Sequence, residues 1–169
     1  NWENLSSRIS AAMAFHFLTP YPKMMWQGGE LGDDRELTEE GRTDKKPFRW
    51  EDMNNPNRKA LYDACCKIIS FRTDHPELYG NGASNSTTKY QVSDGDMGGK
   101  HLVYTSGGST VAVVANFNAT GGTTTKFALT LPAGTYTNLI TGASVNVSSG
   151  TYNVSLAPHD YIVLVKTNK

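Results

Sequence analysis

Glu30, Asp33, Asp34, Glu36, Glu39, Glu40 and Asp44 crowd into one short stretch of the chain, the densest run of groups that could move protons or grip a polar ligand. On an open loop such carboxyls are expected to be mostly solvated and near ordinary acidity. They would then be ionised at neutral pH and unable to donate a proton. The other reactive residue types are sparser. Cys65 and Cys66 are adjacent, a geometry that disfavours a disulfide on a helix, and they lack the spacing of a metal or redox site, so both read as small buried apolar side chains. His16, His75, His101 and His159 show no ligand spacing. Asp94-Gly95-Asp96 lacks the remaining oxygen ligands of a calcium loop and reads as a turn. No metal or cofactor is expected, and triplets such as Asn85-Ser86-Thr87 arise readily in an Asn-, Ser- and Thr-rich region.

These groups must be held by some architecture, and composition divides the chain in two. All three tryptophans, both cysteines, every methionine except Met97 and the Glu and Arg residues precede about Asn81, whereas the rest is dominated by Thr, Ser, Gly and Val. The 169 residues carry no net formal charge and no Lys/Arg block longer than Lys45-Lys46, so nucleic acid is not an expected partner. The longest apolar runs, such as Tyr161 to Val165, fall far short of the roughly 20 residues that span a bilayer, and a soluble chain is expected. No signal-peptide pattern opens it and Asn1 is not an initiator methionine. The chain is therefore expected to begin at a boundary or cleavage point, with no targeting segment to assign a compartment. An extracellular or periplasmic parent is compatible with that.

Leu5, Ile9, Ala12, Met13, His16 and Phe17 recur at helical spacing until Thr19-Pro20 stops the pattern. Lys23 to Gln27, closed by Gly28-Gly29, reads as a short strand buried on both faces. Periodicity then vanishes from Glu30 to Asn54, a long loop of the kind that is usually functional or disordered. Asn55-Pro56 supplies an N-cap and a first-turn proline for a second helix carrying Leu61, Ala64, Cys65, Ile68 and Ile69, which ends near Asp74-His75-Pro76. Helix, strand, loop and helix make one and a half α/β units, which cannot bury their own strand, so more chain upstream is expected. Beyond Tyr79, eight short apolar runs at even spacing begin near Tyr90, His101, Val111, Phe127, Tyr136, Val145, Tyr152 and Tyr161, separated by glycine-containing turns. They predict an antiparallel sandwich or barrel, with Val111 to Ala115 central and Phe127, Leu129 and Leu131 facing inward.

The segment Pro22 to Gly32 resembles the eighth barrel strand and following turn of glycoside hydrolase family 13, the α-amylase family. The resemblance continues through Gly41-Arg42-Thr43-Asp44, Pro47-Phe48-Arg49-Trp50 and the helix opening at Pro56. Val111 to Asn118, Leu131 to Tyr136, Leu139 to Ala143 and Leu156 to Tyr161 resemble the all-β domain that follows the barrel. The implied fold class is an α+β fragment: a remnant of a (β/α)8 barrel over residues 1–78, a linker over 79–86, and an all-β antiparallel sandwich over 87–169.

That resemblance implies an α-glucan (starch or maltooligosaccharide) hydrolase acting with retention. Its nucleophile, acid and third carboxylate would lie on earlier barrel strands, before Asn1, so this chain alone is expected to hydrolyse nothing. The β domain would stabilise the barrel. In relatives an Asp and an Arg on this loop contact sugar, which implies substrate binding by Asp44 and Arg49; an acid beside a fork of donors suits vicinal hydroxyls. Trp26 is expected to pack beneath the site and Glu30 to anchor the loop. Self-association of the chain is expected from its unpaired strand. The alternative is a non-catalytic carbohydrate-binding sandwich, which would need an exposed aromatic platform.

Overall fold

The computed structural model describes residues 1–36, 43, 45, 47–79, 89–92, 98–119, 123–148 and 150–168, the strand at 89–92 through its backbone. Helix α1 (Trp2–Phe17) starts at Asn1, whose side-chain oxygen accepts from the Glu3 amide at 3.0 Å and so satisfies one of the donors that a helix start leaves open. Helix α2 (Pro56–Asp74) is capped the same way by Asn55, with Pro56 in the first turn where its missing N–H costs nothing. A single turn, α3 (Pro76–Tyr79), follows. Arg72 of α2 donates to the carbonyls of Phe17 and Thr19 at 2.6 and 2.7 Å, pinning the end of α1 to α2.

The apolar stripe read on α1 divides between two faces. Met13 and Phe17 turn into the core beside Ser6, Ser10 and Ala14, whereas Leu5 (43 % exposed), Ala12 and His16 lie open. After the helix, residues 22–26 take up no regular secondary structure and pair with no strand among the described residues. Met24 is 83 % exposed and Trp26 74 % exposed. This corrects the expectation of a strand buried on both faces with Trp26 packed in the core. A strand exists through the ladder it shares with a neighbour, and the described part of this chain folds none beside Lys23 to Trp26.

All eight predicted strands form: β1 (Lys89–Val92), β2 (Gly99–Ser106), β3 (Ser109–Asn116), β4 (Thr125–Thr130), β5 (Gly134–Asn138), β6 (Ser144–Val147), β7 (Thr151–Leu156) and β8 (Tyr161–Lys166). Six make an antiparallel sheet in the order β1-β2-β3-β8-β5-β6, and β4 pairs with β7 in a second, two-stranded sheet. Gly107 and Gly108, at φ of 57° and 82°, make the tight β2–β3 turn, where both central residues need positive angles.

Strand β3 is central and buried at every position. Its Val111 and Val113 point, with Tyr104 and Val163, to the helices, meeting Phe17, Leu61, Ile68 and Phe71. Its Ala112 and Val114 point, with Leu164, to the small sheet, meeting Phe127, Leu129 and Leu156. That double burial is why the segment reads as almost uniformly apolar. The molecule is thus three layers deep: helices, large sheet and small sheet. The Tyr104 hydroxyl, buried between the first two, donates to the Leu78 carbonyl at 2.8 Å.

Candidate functional site

The acidic loop is built on a tight turn. Gly28 adopts φ 83°, and its carbonyl accepts from the amides of Leu31 and Asp33 at 3.0 and 2.9 Å. A Cβ at residue 28 would sit 2.8 Å from that of Asp33, so both angle and space require glycine. The turn delivers the Leu31 and Gly32 carbonyls and the Asp34 carboxylate to the start of α2, where Arg58 receives them.

Arg58 is 5 % exposed. Its Nη1 donates to Asp52 Oδ2 at 2.9 Å and to the Leu31 and Gly32 carbonyls at 3.4 and 3.3 Å, while Nη2 meets Asp34 Oδ1 at 3.0 Å. The guanidinium carbon lies 3.7 Å from the centre of the Trp2 ring, a cation–π contact sheltered from water. Asp52, 8 % exposed, stands in the 3₁₀ turn Trp50–Asn54. Arg49 reaches the same two aspartates from outside: Nη2 lies 3.2 Å from Asp52, Nη1 3.9 Å from Asp34, and Nε 3.6 Å from Glu51. Its side chain is 37 % exposed.

A second arginine organises the front of the loop. Arg35 Nε donates to both oxygens of Asp33 at 2.9 and 3.0 Å, its Nη2 also pairs with that carboxylate, and its Nη1 donates to the Pro47 carbonyl at 2.8 Å. Hydrogen bonds from Arg35 hold the Asp33 carboxyl down at about 2. Those from Arg58 likewise lower Asp34. The expectation of ordinary acidity is therefore corrected for these two groups, because hydrogen bonds from arginines stabilise their ionised forms. Both are more firmly ionised than a free carboxyl and even less able to donate a proton.

Of the two expected sugar contacts, Arg49 is half-buried at the rim of this network, and Asp44 lies outside the described residues, as do Glu39, Glu40, Asp94-Gly95-Asp96, Asn85-Ser86-Thr87 and residues 80–86 of the expected linker. Glu30 sits half-buried in the turn Gly29–Leu31. The described contacts that hold the loop run through Arg58 and Arg35. Arg58 escaped the sequence reading although a signal was present: it occupies the buried stripe of α2 with Leu61, Cys65 and Ile68, and a charge in such a stripe demands partners. Beside Arg49 stand Trp50, 62 % exposed, and Phe48, whose rings are 4.3 Å apart.

Next to the loop, the open face of α1 makes an apolar groove of about 440 Å³ with Met24, Met25 and Phe117. His16 Nε2 is 3.1 Å from the Met24 carbonyl and ties the segment after α1 to its edge. Cys65 is buried, and burial pushes its thiol up to about 11; Cys66 is exposed, which corrects the reading of both as buried. Among the described residues no three His, Cys, Asp or Glu side chains gather to hold a metal, and no helix is long and apolar enough to cross a membrane. The sheet offers no aromatic platform among its described residues: Tyr104 and Tyr136 are fully buried, and Tyr152 and Tyr161 half-buried.

Residues 100–159 match the family model of the bacterial alpha-amylase C-terminal domain. No curated protein matches the chain. Among solved structures, an Anoxybacillus alpha-amylase shares its fold with a TM-score of 0.65 at 18 % identity, over 96 % of this chain and 33 % of that one. The alpha-amylase of Geobacillus thermoleovorans, solved with acarbose, gives 0.65 at 20 % identity, over 97 % and 34 %. A cyclomaltodextrin glucanotransferase with a three-domain ABC distribution gives 0.66 at 15 % identity, over 96 % and 33 %. The chain thus spans about a third of the length of the enzymes it matches. Residues 100–159 are thus similar to the C-terminal domain of bacterial alpha-amylases, and nearly the whole chain shares its fold with about a third of each of these enzymes.

Proposed function

We propose that this chain is the C-terminal part of a retaining α-glucan hydrolase acting on starch and maltooligosaccharides. Residues 1–78 close a (β/α)8 barrel, 79–86 link, and the β domain over 87–169 stabilises the barrel by covering helices α1 and α2. The catalytic acids belong to the portion of the enzyme that precedes Asn1, and Asp44 and Arg49 contact the sugar.

The observation that carries this reading is the apolar groove along α1, flanked by a segment whose Met24 and Trp26 are mostly exposed. An open apolar face beside an unpaired apolar segment fits a barrel completed by further strands and helices. The class of substrate is drawn from the similar enzymes, one of them solved with acarbose and another with maltotriose. The pairing of Asp33 and Asp34 supports placing the catalytic acids elsewhere. Cleavage with retention needs an acid and a nucleophile about 5 Å apart on opposite sides of one bond, and Asp33 and Asp34 are engaged by arginines on one loop.

The test is to express the gene product including the region upstream of Asn1 beside the chain itself, and to assay both on soluble starch and a chromogenic maltooligosaccharide. The longer protein is expected to turn over with an α-anomeric first product by NMR, and the chain alone to be inactive. Turnover by the short chain that is abolished by Glu30→Gln would make the loop itself the catalytic site and overturn the reading.

A further inference from the structure

Two arginines from different elements hold the same pair of aspartates, one from inside and one from the surface. Arg58 is buried, stacked on Trp2, and donates to Asp52 and to the carbonyls of Leu31 and Gly32 while pairing with Asp34. Arg49 has a side chain 37 % exposed and meets, besides Glu51, those same aspartates. A long exposed side chain loses rotamer entropy when it is held in one geometry, so its partners can hold it only if they are themselves fixed. Asp52 is fixed by Arg58 at 2.9 Å, and Asp34, itself 55 % exposed, is fixed by Arg58 at 3.0 Å. The planar fork of an arginine spans these acceptors; a lysine ammonium, a single point charge, does not.

We propose that Arg58 is a positioning residue that, through Asp52 and Asp34, sets the Arg49 guanidinium in place to meet an α-glucan. The role rests on the reading of Arg49 as a sugar contact. Arg58 itself touches no substrate, since it lies beneath Trp2 and the loop.

The first arm of the test uses this chain and no sugar. Side-chain ¹⁵Nη–¹Hη NMR of Arg49, whose Nη2 lies 3.2 Å from Asp52 and Nη1 3.9 Å from Asp34, is compared between the parent chain and Arg58→Lys, which keeps the buried charge, with circular dichroism to verify folding. Hydrogen-exchange protection of the Arg49 Nη–H groups is expected to fall about threefold, the weight of a partly exposed ion pair. Asp34→Asn, at an exposed position that leaves the core intact, is expected to shift it in the same direction by less. Unchanged protection in both folded variants overturns the inference.

The second arm uses the enzyme that includes the upstream barrel. Arg49→Ala is expected to raise KM for maltooligosaccharides roughly tenfold, Arg58→Lys to raise it similarly with a smaller change in kcat, and the double variant to add little beyond Arg49→Ala alone. If Arg49→Ala raises KM while Arg58→Lys lowers only Tm, the inference fails and the sugar-contact reading stands. If Arg49→Ala leaves KM unchanged, the sugar-contact reading fails, and the role proposed for Arg58 fails with it even where the NMR coupling holds.

Discussion

A carboxylate wrapped by a guanidinium is stabilised in its charged form, and the consequence for Asp33 is a pH dependence with a definite sign. Its carboxyl stands at about 2 against an ordinary 3.8 because Arg35 donates to it. The interaction therefore contributes fully above about pH 4 and is lost as pH falls towards 2. A ¹³C titration of the Asp33 carboxyl is expected to show a midpoint near 2, and Asp33→Asn to remove that part of the acid limb of the stability curve; a midpoint at the ordinary value would mean that the Arg35 contact does not persist in solution. Neighbouring cysteines offer a parallel contrast. Cys65 is buried with its thiol pushed up to about 11, whereas Cys66 faces water. A thiol reagent is expected to label one cysteine quickly in the folded chain, and Cys66→Ser to abolish that fast phase. Two equally fast thiols would show that α2 opens locally.

Strand β3 carries the heaviest packing demand, since its two faces belong to two different interfaces. Removing two methyls at Val113, fully buried on the helix side, is expected to cost about 2 kcal/mol. Tyr104→Phe removes only the hydroxyl that donates to Leu78 but leaves that carbonyl buried, at about 1 kcal/mol. Urea melts of both variants give the comparison, with equal m-values expected because neither changes the surface exposed on unfolding. A smaller loss for Val113→Ala than for Tyr104→Phe would show that the sheet and helix layers are not closely packed. Helix α1 lacks such closure on one side. Its Met13 and Phe17 are core, but Leu5, Ile9 and His16 line an open groove.

That asymmetry sets the behaviour of the chain as a whole. One side is a well-packed three-layer structure, and the other presents Leu5, Met24 and Trp26 to water. Contiguous apolar surface of this kind is normally covered by another element or another chain. The isolated chain is therefore expected to self-associate in light scattering, in a concentration-dependent way, and Met24→Lys with Trp26→Glu to restore the monomer. Hydrogen exchange should be fast over residues 22–27 and slow over β3. A strict monomer at high concentration would mean that the groove is adequately solvated, and it would weaken the proposal that a barrel covers it.

Local pattern alone was enough to read helices α1 and α2 with the N-cap of the second, all eight strands, the central place of β3 and the inward alternation of Phe127 and Leu129. Those features depend on residues close in sequence: an N-cap at Asn55, a proline at residue 56, a run of Val and Ala, glycines at the turns. The cluster around Arg58 was not legible in that way, since it joins residue 2, residues 31–34, residues 49–52 and residue 58, and no sequence spacing encodes which acid an arginine will reach. The segment Lys23 to Trp26 shows the same limit from the other side. Its composition is that of a buried strand, but a strand's hydrogen bonds and burial are supplied by neighbours distant along the chain, and only the tertiary structure reveals that none lies beside it among the described residues.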